Sequence, residues 1–342
     1  MVTPKTLRTG VHAVTGRALA CLLPSPPVRL LPLAALLSCG SLLRPAPPFQ
    51  GWERLPGSPA AGNLRALSGH WASGSHGAFR NRERTGALPG DLDLRSLHAF
   101  DERRAALVNA GAPARFYLTS DGGAHWRLTR EIALPGIFFD SMAFWSDREG
   151  LAIGDAIGGR FVLALTHDGG ETWQDAPGPA AAPGEGAFAA SNSCLAVRGS
   201  GEAWFASAAR VFHTRDGGKS WTASAPGLGS SESKGLFSIA FRSDRRGYLT
   251  GGDYRAPASP GLFARTGDGG ATWRAGAAPR GYRSAIAVFG DALVVAGPTG
   301  SDVSLDDGQS WARLGDEPLN ALAVSGDELL AAGPDGVLLR LR

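Results

Sequence analysis

One eight-residue pattern recurs five times: TSDGGAHW (119–126), THDGGETW (166–173), TRDGGKSW (214–221), TGDGGATW (266–273) and SLDDGQSW (304–311). Each copy has a Ser or Thr, then an Asp, a Gly and a final Trp at fixed spacing. In a hairpin the Asp accepts backbone N–H bonds across the turn, and the Gly takes a positive φ that other residues resist. The hydroxyl adds a local bond and the Trp buries a large face beside the neighbouring strand. Repetition makes Asp121, Asp168, Asp216, Asp268 and Asp306 turn braces rather than five catalytic carboxylates, and Trp126, Trp173, Trp221, Trp273 and Trp311 packing groups. His125 stands where the other copies have Ser or Thr, so the first turn is expected to close less well.

The five aspartates are 47, 48, 52 and 38 residues apart. That period suits a four-stranded propeller blade of about 40–45 residues with variable loops. Between the turns the chain repeats short β-rich runs bounded by Gly, Asp and Pro, such as SMAFW, GLAIGD, RFVLALT and TWQDA, and nothing sustained has helical period. Units start near Leu64, Leu94, Asp140, Ser193, Phe237, Ser284 and Leu319. The first lacks a good turn motif, and the last ends at GVLLRLR without a fourth strand. The segment GWERLPG (51–57) supplies one, because Trp52-Glu53-Arg54-Leu55 matches Trp311-Ala312-Arg313-Leu314. The expected fold is all-β: a seven-bladed β-propeller over residues 51–342, its ring closed by the N-terminal strand.

Residues 1–39 read as a targeting segment, with Lys5, Arg8, Arg17 and Arg29 ahead of the apolar run LLPLAALLSCG. The run resembles a bacterial lipoprotein signal in which Cys39 is acylated, placing the protein in the bacterial cell envelope, periplasmic and lipid-anchored. A leader cleaved elsewhere, or uncleaved, with an incidental cysteine is the alternative. Residues 40–50 are Pro-rich and suit a short tether. Removing the four positive charges of residues 1–39 turns the formal charge of +3 into −1. A nearly neutral surface gives no argument for nucleic-acid binding, and contact with a membrane is expected only through the lipid anchor. Cys194, in SNSCLAV, reads as a small core residue.

The recurring motif is identified as the Asp-box, or BNR repeat, of sialidases, sortilin-type receptors and xyloglucan-degrading enzymes. In those families it lies between the third and fourth strands of a blade, away from the active site. Because successive strands are antiparallel, second-to-third turns and blade-to-blade links share the opposite face. On that face Asp140, Asp155, Glu185, Asp253 and Tyr254 are expected to converge near the channel mouth, with Lys234 and Arg255 nearby. The competing view has these carboxylates capping turns or pairing with basic neighbours.

A sialidase needs an arginine triad and a Tyr nucleophile. No Arg-Ile-Pro motif occurs in the early blades, and of the four tyrosines only Tyr254 and Tyr282 fall where loops could expose them. A two-carboxylate glycosidase with Asp140 and Glu185 as acid and base stays open. The histidines show no paired metal spacing and no Gly-rich loop precedes a helix, so neither metal nor cofactor is expected.

The stretches FFDSMAFWSDREGLAIGD, GEGAFAAS and GLFSIAFRSDRRGYLTGGDY resemble bacterial Asp-box propellers related to the photosystem II stability and assembly factor family, over essentially all of 51–342. The resemblance implies a non-catalytic, monomeric envelope scaffold that binds a protein or peptide partner, such as a membrane-protein assembly intermediate. The rival is a glycoside hydrolase with carboxylates at the channel mouth.

Overall fold

Short apolar runs punctuated by turn residues pair most readily with their sequence neighbours, and six of the seven sheets form in that way. The computed structural model describes residues 48–56 and 62–342. The targeting segment, Cys39 and residues 40–47 of the tether lie outside the described residues. Blades 1 to 6 are four consecutive antiparallel strands each, spanning 64–87, 93–132, 139–180, 195–224, 234–275 and 285–315. Blade 7 takes three strands from 321–341 and its outer strand, Trp52–Arg54, from the other end of the chain. The first strands of successive blades touch in order, and that of blade 7 touches that of blade 1, which makes the sheets a closed ring. The protein is a seven-bladed β-propeller.

Closure is specified residue by residue. Trp52 pairs with Leu341, Glu53 with Arg340 and Arg54 with Leu339. Glu53 accepts from Arg342 and, at 3.0 Å, from Arg340, and these bonds hold its carboxyl down at about 2. Seven apolar clusters fill the gaps between adjacent blades, one per gap. Each sheet is therefore buried on both faces, the condition that lets short strands hold a ring together.

The five Asp–Gly turns each join a third to a fourth strand and share one bonding pattern. In blade 3 Thr172 donates both its backbone N–H (2.9 Å) and its hydroxyl (2.6 Å) to Asp168, while the Thr166 hydroxyl accepts from Gly170 N–H at 2.9 Å. Gly169 and Gly170 both have φ near +80°, at 78° and 87°. In blade 2 the expected weakness is absent. His125 Nδ1 lies 2.7 Å from Asp121 Oδ2 and its N–H donates to Oδ1 at 3.0 Å, so the imidazole reaches the place of the missing hydroxyl. Blade 1 lacks the motif and uses Asn81, whose Oδ1 accepts from Glu83 and Arg84 N–H at 3.0 and 2.7 Å.

At the ring axis the first strands are joined by polar side chains as well as by packing. Ser141 Oγ donates to Asn192 O, Ser193 and Ser238 share a bond at 2.7 Å, and Ser284 Oγ donates to Asn320 O at 2.7 Å. Asn192, with φ +60°, donates to Leu97 O of blade 2, so the 191–193 segment lies across the axis instead of along its own blade. The nearby Cys194 is fully buried, and burial pushes its thiol well above the ordinary range, as expected of a core residue.

Candidate functional site

Four of the first strands carry a β-bulge near their start, between Leu64 and Ala66, Asp93 and Ser96, Phe139 and Ser141, and Leu236 and Ser238. A bulge re-aims the extra residue out of the sheet's alternation. Three of the re-aimed side chains, Arg65, Arg95 and Phe237, line a cavity of about 400 Å³ to which five of the blades and the links between blades contribute. Its other walls are Phe138 and Asp155 of blade 3, the 187–190 segment, Tyr254, Tyr282 and Asn320. These residues come from the starts of first strands, the ends of second strands and the interblade links, which places the cavity at the channel mouth opposite the Asp–Gly turns.

The walls differ by sector. Blades 1 and 2 supply two guanidinium groups that share one carboxylate: Arg95 Nε donates to Asp93 at 2.7 Å, whereas Arg65 Nε stands 4.0 Å from it with no hydrogen-bond partner. Arg95 also donates to Ala189 O at 3.3 Å, pinning the floor. Blade 3 supplies Asp155, which accepts from Ala187 N–H at 2.9 Å; burial pushes its carboxyl up and that bond opposes the shift. Blade 5 and the interblade links on either side of blades 4 and 5 supply aromatics. Phe188 stacks on Phe237 with centroids 3.9 Å apart, and Tyr254, 43% exposed, meets Phe188 edge-on at 6.1 Å.

Asp140 is the bulged residue of blade 3. It is fully buried, and neither carboxyl oxygen has a hydrogen-bond partner. Burial pushes its carboxyl well above the ordinary range, Asp155 adds to the rise, and Arg95 opposes it. The unfolded chain releases this proton near pH 3.8, so above that pH the folded state binds more protons and stability falls as pH rises toward the folded value. The slope is at most about 1.4 kcal/mol per pH unit for one proton. The Asp140→Asn variant is expected to escape this loss, so that the difference between its urea midpoint and that of the wild type shifts in the variant's favour as the pH rises above 4. A constant margin across the range would overturn the assignment. The turn aspartates act in a separate window: Asp216 and Asp268 are held near 2 by bonds from Ser220 and Thr272, and their contribution is lost only as the pH falls below the ordinary carboxylate range.

Of the seven residues expected to converge, Asp155 and Tyr254 line the cavity and Asp140 lies buried close enough to feel Asp155 and Arg95. The other four do not line it. Glu185 is gripped by Arg210, Ser207 and Ala182 N–H; burial acts to raise its carboxyl, but these bonds outweigh it and leave it low. It is a brace held by Arg210 and does not line the cavity, while Asp140 lies buried beside Asp155. Asp253 bonds to Ser233 and Arg255 N–H, which lower its carboxyl, and sits across the strand pair from Lys234. Arg255 makes a two-bond pair with Glu232 at 2.8 and 3.0 Å. Tyr282 lines the wall but is only 5% exposed, and burial pushes its phenol up; the expected exposure is corrected, because the interblade link folds back onto Phe237 at 4.6 Å.

No protein-family model and no curated protein matches the chain. Solved structures do. A structure of YCF48 bound to D1 peptide superposes with a TM-score of 0.60 at 19% identity, over 89% of this chain and 99% of that one. The RRP9 WD40 repeats give 0.60 at 10%, over 85% and 97%. A GH74 xyloglucanase from Xanthomonas campestris gives 0.59 at 16%, over 85% of this chain and 53% of the enzyme. The likeness is one of fold. At such identities it ranges over a peptide-bound protein, a WD40 protein and a glycosidase, and the residues at the mouth must carry the functional argument.

Arg65, Arg95, Phe237 and Asn320 were not foreseen, yet a signal for them exists. Each blade begins its first strand with a variable residue followed by Ser or Ala: Arg65-Ala66, Arg95-Ser96, Asp140-Ser141, Asn192-Ser193, Phe237-Ser238, Arg283-Ser284 and Asn320-Ala321. The small residue meets the axis, and in Ser form belongs to the polar belt. The variable residue before it lines the cavity at Arg65, Arg95, Phe237 and Asn320, and not at Asp140, Asn192 or Arg283.

Proposed function

We propose that the protein is a non-catalytic propeller scaffold that receives a protein or peptide partner at its channel mouth. An envelope location and a lipid anchor at Cys39 belong to the same proposal, as does an assembly-factor-like role toward membrane-protein intermediates. The observation that carries it is the construction of the mouth. Seven rigid blades present an exposed Tyr254, the Phe188–Phe237 stack and two arginines that share one carboxylate, the aromatic and Arg composition of interface hot spots. The fold shared with a peptide-bound YCF48 supports the reading.

A glycosidase is the second reading, supported by the fold shared with the GH74 xyloglucanase and by the proximity of the Asp140 and Asp155 carboxyls. Capture from membrane extracts separates the two when run beside a glycan hydrolysis panel. The scaffold reading expects one partner captured by the wild type, at least tenfold less by Tyr254→Ala, undiminished by Arg274→Ala on the opposite face, and no hydrolysis. Hydrolysis that disappears in Asp155→Asn would sink it.

A further inference from the structure

The mouth holds more unmatched chemistry than a docking rim requires. Among the buried polar atoms without a hydrogen-bond partner are Arg65 Nε and Asp93 Oδ1, 4.0 Å apart on the side of blades 1 and 2, and both carboxyl oxygens of Asp140 on the side of blade 3. The two signs lie close together. The Arg95 guanidinium sits 5.8 Å over the Phe138 ring, and the carbonyl of Phe138 accepts from Asp155 N–H at 2.9 Å, so Arg95 and Asp155 both adjoin one residue. Across the cavity from them stand Phe188, Phe237 and Tyr254. A ligand carrying only one charge would satisfy one side and meet like charge on the other. A ligand with both charges on neighbouring atoms, and an apolar body attached, matches all three sectors. The volume of about 400 Å³ falls in the range of small-molecule sites.

We propose that the channel mouth binds a free α-amino acid with a large apolar or aromatic side chain, its carboxylate on Arg65 and Arg95, its ammonium on Asp155, and its side chain among Phe188, Phe237 and Tyr254. Guanidinium and carboxylate are well suited to two-bond recognition, and aromatic faces add attraction for an ammonium. This inference rests on the assignment of the mouth as the binding face and adds a ligand class to it.

Isothermal titration with L-phenylalanine tests it, using 3-phenylpropionate, phenethylamine and glycine as probes that each lack one of the three features. L-Phenylalanine is expected to bind, with each analogue at least tenfold weaker. Asp155→Asn should weaken L-phenylalanine at least tenfold. Because Arg95 also holds Ala189 and Asp93, its Gln variant is accompanied by Tyr254→Ala, an exposed position whose loss should lower L-phenylalanine affinity and leave glycine unchanged. No binding of L-phenylalanine up to about 10 mM overturns the proposal. So does 3-phenylpropionate binding as tightly as L-phenylalanine in both wild type and Asp155→Asn, which would mark an anion site. Absence of amino-acid binding in the wild type with partner capture present sinks this inference alone, whereas absence of capture in the wild type with amino-acid binding present sinks the scaffold reading alone.

Discussion

Replacing Asp302 with Ala is expected to destabilise the propeller by about 3–5 kcal/mol, because it strands a buried charge. Arg283 and Asp302 are both fully buried in blade 6, and two guanidinium N–H groups of Arg283 donate to one Asp302 oxygen at 2.9 and 2.7 Å. The other oxygen accepts from Arg280, and Arg283 completes its bonding with Thr299 Oγ1 and Tyr282 O. With the carboxylate gone, no listener for the Arg283 charge remains among these bonds. Denaturant unfolding measures the loss. The double variant Asp302→Ala with Arg283→Met should recover much of it, since replacing a whole buried pair is far less damaging than removing one member. A single variant as stable as the wild type would show that water reaches this pair. The position also matters for the mouth: Arg283 occupies the variable site that in blades 1 and 2 faces the cavity, and Asp302 accounts for its being turned inward.

The second large effect is expected at Trp204. Its indole is fully buried between blades 4 and 5, lies 3.8 Å from the Phe241 ring, and stacks on His213 at 4.7 Å with planes 6° apart. Its Nε1–H donates to Gly269 O, inside the Asp–Gly turn of blade 5, at 2.7 Å. Trp204→Ala should cost about 3–5 kcal/mol in a urea titration, the usual range for a large aromatic removed from a core. Trp204→Phe keeps the ring contacts and gives up the bond to Gly269, so it should fall between the two; a Phe variant as unstable as Ala would assign the effect to the hydrogen bond.

The fold was legible because its signals are local and repeated. The Asp–Gly turns fix the positions of third and fourth strands, and the Trp52 segment announces its partner by resembling the other fourth strands. The site was less legible because a carboxylate's role depends on what reaches it across the ring. Glu185 and Asp155 look alike in sequence, but Arg210, 25 residues after Glu185, captures one, while Asp155 accepts from Ala187 N–H and from no arginine among the described residues. Asp140 was foreseen at the mouth, but its complete burial depends on a bulge, and no residue type marks where a strand will gain an extra residue. His125 fails as a prediction for a simpler reason: an imidazole at that position spans the same gap as a hydroxyl.

The strand Trp52–Arg54 has a consequence for the order of events during synthesis. Its partner, Leu338–Leu341, follows all six other blades in the chain, so this strand must wait for the whole intervening ring to be made before it can pair. Contacts between such distant positions form late and slow the final step of folding. Until then blades 1 to 6 can assemble as an open arc with an unsatisfied sheet face at each end. That arc is the species a chaperone would need to shield, and the closing strand, once seated, is the latch whose opening rate would set how long the ring survives.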